Sequence, residues 1–149
     1  MSKRRIRVLF LCTGNSCRSQ MAEGWARVLC ADVIEPFSAG IEAHGLNPMA
    51  VRVMAEAGVD ISRNRSQHLS EFSGIEFDYV VTVCDDARES CPVFCGPAKT
   101  IHRSFDDPPA LARSAPDEES ALDIYRRVCH EIRELVESLP GLLERNQVE

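Results

Sequence analysis

Residues 6–19 read IRVLFLCTGNSCRS, and this stretch decides the fold. Its first six residues are almost continuously apolar, which is typical of a buried strand in a parallel sheet. Its last eight are small or polar, and after them Met21, Trp25 and Val28 recur at helical spacing. A strand, a tight loop and a helix in direct succession predict the opening unit of an α/β fold.

The rest of the chain alternates strand-like and helix-like segments in the same way. Three further strands are expected, at residues 33–38, 78–83 and 99–102. The first of these contains Pro36, which favours a position at the edge of the sheet. We therefore expect one domain over residues 1–149, a three-layer α/β sandwich with a four-stranded parallel sheet.

Capping signals predict two later helices. Asn47-Pro48 resembles an N-cap followed by proline at the first helical position, and Gly58 is a typical stop. A long terminal helix begins at the acidic stretch 116–119 and is expected to end at Pro140-Gly141. Residues 106–115, which are rich in proline, are expected to form a loop.

Composition and charge exclude several classes of protein. The chain is 44% hydrophobic and 27% charged, as soluble globular domains are. Its net charge is −6 with both signs interspersed, which favours neither nucleic acid nor an anionic membrane as a partner. Arg7 interrupts the first apolar run, and no stretch approaches transmembrane length. We expect a cytoplasmic monomer.

The loop after the first strand has the design of an oxyanion site. Cys12 and Arg18 are separated by five residues, so that the backbone N–H groups between them and the helix N-terminus can surround a tetrahedral anion. The same field stabilises a thiolate at Cys12, Arg18 can hold two oxygens at once, and Ser19 can donate to the sulfur or cap the helix. The expected oxyanion-binding residues are Thr13, Gly14, Asn15, Ser16, Cys17, Arg18 and Ser19. The alternative, a buried structural thiol at Cys12, does not require Arg18 at this spacing.

Two more loops should meet this one, because the carboxyl ends of parallel strands lie at one edge of a sheet. They begin at Cys84 and at Phe105. The second contains Asp106 and Asp107, which compete for the role of general acid to a departing oxygen. We favour Asp107, although Asp-Pro pairs are also ordinary turn formers.

Cys84 and Cys91 indicate the type of reaction. The chain has seven cysteines, and a phosphatase would need none beyond Cys12. Two further thiols at the same edge suggest a relay in which one attacks a sulfur adduct on Cys12 and the other resolves the disulfide. Two alternatives remain open: these cysteines only pack, or Cys91, Cys95 and His102 contribute to a loose metal site.

The motifs resemble a known family. The stretch CTGNSCRSQMAEGW at residues 12–25 resembles the thioredoxin-coupled arsenate reductases, which share the fold of the low-molecular-weight tyrosine phosphatases. Further matching motifs are SAGI at 38–41, HG-x-NP at 44–48, VTVC at 81–84, CP at 91–92 and FDDP at 105–108. The extra cysteines favour the reductase branch.

The resemblance implies a mechanism. Cys12 would attack arsenate while Asp107 protonates the departing oxygen. Cys84 would then attack Cys12, releasing arsenite, and Cys91 would attack Cys84 to form a disulfide that thioredoxin or a similar dithiol reduces. No bound cofactor would be needed, and phosphate or sulfate would act as mimics of arsenate.

Potassium is the one cofactor that the resemblance leaves in doubt. Some members bind potassium through residues that match Asn15, Glu23 and Ser38, with a carboxylate where this chain has Gln67. Two rival functions are a tyrosine phosphatase with incidental thiols and a non-enzymatic thiol sensor or metal-binding module.

Overall fold

Four parallel strands form the centre of the fold. The structure is a computed structural model that describes residues 4–84 and 97–148. Its strands are β1 (Ile6–Cys12), β2 (Ile34–Gly40), β3 (Tyr79–Thr82) and β4 (Lys99–His102), in the order β2-β1-β3-β4. Its helices are α1 (Arg18–Leu29), α2 (Pro48–Glu56), a 3₁₀ helix (Leu69–Phe72), α3 (Pro108–Ala112) and α4 (Glu118–Val148). The parallel α/β fold and the edge position of the strand with Pro36 are confirmed.

The two faces of the sheet bury different cores. Along β1, Phe10 and Cys12 belong to a large core built with α1, α2 and α4. Leu9 and Leu11 point to the other face, where they pack with a smaller cluster. That cluster contains three phenylalanine rings in edge contact, with centroids 5.2 to 6.0 Å apart: Phe37, Phe72 and Phe77. This alternation is what a strand buried on both faces produces.

The register of the sheet brings the strand ends together. Leu11 of β1 is paired with Ala39 on one side and with Thr82 on the other, and Thr82 is paired with His102. All four strands therefore end at one edge, and the segments that follow them emerge side by side. For the loop after β1 and the segment after β4 the expected meeting is a consequence of this register, and residues 85–96 after β3 lie outside the described residues.

The start of α2 agrees with its capping signals. Asn47 Oδ1 accepts hydrogen bonds from the backbone N–H groups of Met49 (2.8 Å) and Ala50 (3.2 Å), and Pro48 occupies the first turn. Gly58 has a φ of +90°, which suits glycine at the end of a helix.

The expectation of a loop over 106–115 is wrong, because α3 occupies Pro108–Ala112. Asp107 is at the N-cap position, and Pro108 and Pro109 fill the first turn. Those positions have no intrahelical N–H partner, so the prolines cost the helix no hydrogen bond.

The expected end of α4 at Pro140-Gly141 is also wrong, since the helix continues to Val148. Proline at 140 cannot donate to the carbonyl of Val136, four residues earlier. Cys30 Sγ donates to that carbonyl instead, at 3.6 Å. Leu139 and Leu143 are fully buried on either side of the proline, and their packing favours continuation. Among the described helices, none has both the length and the apolar character needed to cross a bilayer.

Candidate active site

The anion loop connects β1 to α1 and is held in an unusual backbone conformation. Asn15 has a φ of +48°, in the left-handed region that asparagine tolerates better than most residues. The end of β2 packs directly against this loop. A Cβ on Gly40 would lie 2.6 Å from the Thr13 carbonyl oxygen and 2.8 Å from Asn15 N. Only glycine at position 40 therefore leaves room for the loop in this conformation.

A chain of hydrogen bonds leads from Gln67 to the Cys12 sulfur. The backbone N–H of Gln67 donates to Asn15 Oδ1 at 2.7 Å, which fixes the orientation of the Asn15 amide. Asn15 Nδ2 consequently donates to Ser19 Oγ at 2.8 Å. Ser19 Oγ lies 2.9 Å from Cys12 Sγ, and its own hydrogen is available to the sulfur. A sulfur that accepts a hydrogen bond is favoured in its charged, nucleophilic form.

Arg18 joins the anion loop to the segment after β4. It is the first residue of α1 and only 4% exposed. Its Nη1 donates to the carbonyl oxygen of Phe105 at 3.2 Å, and its Nη2 lies 3.5 Å from Asp107 Oδ1. These contacts hold the guanidinium in the wall of the site.

The two candidate acids lie in different environments. Asp106 Oδ2 is 2.8 Å from the guanidinium of Arg127, in a half-exposed ion pair on α4. Asp107 lies beside Arg18 and lines the cavity above Cys12. The geometry therefore supports Asp107, and not Asp106, as the general acid, because only Asp107 of the two lines the cavity.

The cavity above Cys12 has a volume of about 210 Å³. The largely buried anion loop forms its floor, and its walls are formed by Arg18, His44, Asp107, Pro109 and Arg113. Sequence reasoning did not identify His44 or Arg113 as part of a site. His44 stands in the HG-x-NP motif, which could have drawn attention to it. Arg113 had no such signal, because its segment was expected to be a loop.

His44 is attached to the anion loop by its backbone and its ring. The N–H of His44 donates to Gly14 O at 3.0 Å, and the N–H of Glu42 donates to Thr13 O at 3.1 Å. The imidazole Nε2 contacts the Glu42 carboxylate. The ring lies over Gly14, where any Cβ would collide with Nδ1. Glycine at position 14 thus leaves room for the imidazole.

Cys17 also lines the cavity but differs chemically from Cys12. It is a free thiol, 3% exposed. Burial raises the pKa of Cys17 well above its usual value, more than the nearby Arg18 charge lowers it. A thiol kept protonated is a poor nucleophile, so Cys17 does not compete with Cys12 for the anion.

Cys84 follows β3 at the same edge of the sheet at which β1 ends in Cys12. Val83 N donates to Leu11 O at 3.0 Å, so that β1 and β3 remain paired up to the residues that precede both cysteines. Cys12 and Cys84 are buried in the same core cluster. Cys84 is disulfide-bonded, whereas Cys12 is a free thiol.

The remaining cysteines have simpler environments. Cys30 and Cys129 are buried free thiols away from the cavity. Cys91 and Cys95 lie outside the described residues, as does the segment between Cys84 and Cys91. Within the residues that the structure does describe, no group of His, Cys, Asp and Glu side chains is arranged to hold a metal ion.

The residues that match a potassium site already have partners. Glu23 Oε1 accepts from Ser38 Oγ at 2.5 Å, and Glu23 Oε2 contacts the guanidinium of Arg27. Asn15 Oδ1 accepts from Gln67 N and from Gln20 Nε2, at 2.7 and 3.0 Å. Each of these oxygens already accepts a hydrogen bond and Arg27 balances the Glu23 charge, which disfavours a potassium ion at this set of residues.

Comparisons with known proteins agree with this geometry. The family described as low molecular weight phosphotyrosine protein phosphatase matches residues 7–149. The chain is 48% identical to an arsenate reductase of Bacillus licheniformis over 136 residues, which are 91% of this chain and 94% of that protein. A solved structure described as an arsenate reductase in the phosphate binding state superposes with a TM-score of 0.74 at 32% identity, covering 90% of this chain and 95% of the other. A thioredoxin-dependent arsenate reductase of Corynebacterium glutamicum superposes with a TM-score of 0.61 at 26% identity, covering 93% of this chain and 63% of the other.

Proposed function

The chain belongs to the low molecular weight phosphotyrosine protein phosphatase family and, within it, to the arsenate reductases, and we propose that it reduces arsenate to arsenite through a relay of its own cysteines. One observation carries this proposal. The free thiol of Cys12 forms the floor of an oxyanion cavity, and Cys84 lies at the adjoining strand end.

The first step forms a bond between sulfur and arsenic. The N–H groups of the anion loop and the guanidinium of Arg18 would hold three arsenate oxygens, which places the arsenic over Cys12 Sγ. Cys12 attacks the arsenic, and Asp107 donates its proton to the departing oxygen, which leaves as water. The arsenic remains pentavalent at this stage.

The second step is the reduction. Deprotonated Cys84 attacks Cys12 Sγ, a disulfide forms, and the electron pair of the S–As bond passes to the arsenic, which leaves as trivalent arsenite. The proximity of the two strand ends supports Cys84 as the thiol that attacks first.

The third step restores Cys12. Cys91 attacks Cys84, so that Cys12 leaves as a thiolate and the disulfide moves to Cys84–Cys91. Thioredoxin, or a dithiol of the same class, would then reduce that disulfide. A disulfide-bonded Cys84 beside a free Cys12 is the combination expected after this step, and the thioredoxin-dependent relative supports the choice of reductant.

The relay takes all its electrons from thiols. It needs no bound organic cofactor, and it assigns no role to potassium. Because recycling depends on a reducing thiol pool, the cytoplasm is the location that suits it.

Single-turnover experiments test the relay. Cys91→Ser should release one arsenite per protein and then stop, and Cys84→Ser should release none, with arsenite measured after rapid removal of the protein. Cys30→Ser, a buried thiol outside the cavity, is the matched control and should turn over repeatedly. Steady turnover of Cys91→Ser with thioredoxin present would refute the relay as written. Hydrolysis of an aryl phosphate at an unchanged rate after loss of both Cys84 and Cys91, without arsenate reduction by the parent, would favour a phosphatase.

A further inference from the structure

The oxyanion cavity has an outer wall that does not belong to the anion loop. His44 reaches it from the segment between β2 and α2, and Arg113 reaches it from the end of α3. Both residues are exposed, whereas Cys12 and Arg18 in the same cavity are buried, so His44 and Arg113 line its solvent side. They therefore face the part of a bound anion that points out of the cavity.

Arg113 is presented to the cavity by helical geometry. Arg113 is the C-cap of α3 with a helical backbone (φ −60°, ψ −27°) and follows Pro109 by four residues, so the two share one face of the helix. Both line the cavity. The helix is fixed at its start, where Leu111 N donates to Asp107 O at 3.1 Å, and it packs against α4.

The charge of Arg113 is available to a ligand. Within residues 4–84 and 97–148, its guanidinium forms neither an ion pair nor a hydrogen bond. Arg126 and Arg127, on the neighbouring α4, are each bound to carboxylates instead. A guanidinium at the mouth of an anion site that forms no ion pair with a carboxylate of the described residues is suited to bind an anionic oxygen.

His44 completes the wall from the other side. Its backbone is tied to the anion loop, and the contact between Nε2 and Glu42 orients the ring. The Nδ1 edge lies over Gly14, in the lining of the cavity. The contact with Glu42 and the position over Gly14 thus place the imidazole at the cavity.

The outward oxygen distinguishes two classes of substrate. When Cys12 attacks in line, the departing oxygen lies opposite the sulfur and points towards the mouth. In a phosphate monoester that oxygen carries an organic group, whereas in free arsenate it carries only charge or a proton. Outside the anion loop, the described residues that line the cavity offer Pro109 as an apolar contact and otherwise polar or charged groups, so a charged outward oxygen gains more there than an organic group does.

We propose that Arg113 and His44 are specificity-determining residues, which bind the outward oxygen of a free tetraoxyanion and so favour arsenate over phosphate monoesters. This inference rests on the proposed function for the identity of the substrate. The preference itself is a property of the cavity and can be measured by binding alone.

Equilibrium binding of inorganic phosphate and of phenyl phosphate to the full chain provides the test. Arg113→Gln should weaken phosphate binding about tenfold, the value of one charge-assisted hydrogen bond, and should change phenyl phosphate binding by less than about twofold. Arg113→Lys should restore most of the phosphate affinity, and His44→Asn should weaken it by about threefold. Arg103→Gln, an exposed arginine that donates to the neighbouring carbonyl of His102, is the matched control and should change neither affinity.

Two results would overturn the inference: phosphate affinity of Arg113→Gln within twofold of the parent, or an equal loss of affinity for both ligands. Absence of phosphate binding by the parent would overturn it as well. Arsenate turnover with thioredoxin, measured in parallel, tests the proposed function separately. In an active parent, Arg113→Gln should raise KM for arsenate about tenfold and leave kcat within about twofold, since Arg113 contacts bound anion and transition state alike.

Discussion

Ser19 Oγ lies 2.9 Å from Cys12 Sγ, and Asn15 Nδ2 donates to the same hydroxyl oxygen at 2.8 Å, which leaves the hydroxyl hydrogen available to the sulfur. The orientation of the Asn15 amide is set from outside the anion loop. Gln67 N–H donates to Asn15 Oδ1 and so determines which end of the amide faces Ser19. The backbone N–H of Gln67, 52 residues away from Asn15, therefore determines that the Asn15 NH₂ group, and not its oxygen, faces Ser19 beside the Cys12 sulfur.

Ser19→Ala tests this hydrogen bond. Without the donor the thiolate of Cys12 loses about 1–2 kcal/mol of stabilisation, so alkylation of Cys12 by iodoacetamide at neutral pH should slow by about tenfold. Mass spectrometry of the alkylated peptide measures this rate. Ser62→Ala, an exposed serine that binds Asp60, is the control and should not change it. An unchanged rate in Ser19→Ala would show that other groups stabilise the sulfur.

The neighbouring carboxylates Asp106 and Asp107 provide a matched pair. Asp107→Asn removes the proposed proton donor, and kcat for arsenate should fall by about 10²- to 10⁴-fold. Asp106→Asn removes only the half-exposed ion pair with Arg127, so kcat should stay near that of the parent. The free energy of unfolding should change by less than about 1 kcal/mol. Initial rates of arsenite formation decide between them. The opposite ranking would assign the acid to Asp106.

The ion pair between the buried Glu23 and the exposed Arg27 predicts indifference to potassium. The side chain of Glu23 is 9% exposed and that of Arg27 51% exposed, so the guanidinium covers the carboxylate from the solvent side. The Tm of the parent should be the same in matched potassium and sodium chloride. Stabilisation specific to potassium would contradict this account of the site.

Arg27→Met leaves the Glu23 carboxylate with Ser38 as its remaining side-chain donor. Burial of an unbalanced charge should lower the free energy of unfolding by about 1–3 kcal/mol, measured by urea denaturation. Arg52→Met, which removes an exposed ion pair with Glu118, is the control and should cost less than about 1 kcal/mol.

Pro140 lies inside α4, where proline lowers the stability of a helix, and a single substitution should restore that stability. Pro140→Ala restores an N–H opposite the Val136 carbonyl and should stabilise the protein by about 1–3 kcal/mol in urea denaturation. A decrease in stability would mean that the proline ring itself contributes packing that the alanine lacks.

Much of the fold was readable because its signals are local. The apolar runs that became β1 and β3 and the Asn47-Pro48 start of α2 act through neighbouring residues in the chain. The Cys12–Arg18 loop could be predicted for the same reason, since the N–H groups expected to bind the anion are consecutive in the backbone. Cys91 remains a prediction, because it lies outside the described residues.

The sequence by itself determined the alternation of strands and helices and the strand–loop–helix unit around Cys12, since each depends on residues close together in the chain; the thiol relay stays a prediction. Only the tertiary structure decided the rest. In the folded chain α4 continues past Pro140, where the thiol of Cys30, 106 residues distant from Val136, donates to the Val136 carbonyl. Asp106 is bound to Arg127 instead of lining the cavity. The tertiary structure also brought Arg113 and His44 to one cavity, because packing against distant elements, and not local propensity, fixes where such side chains point.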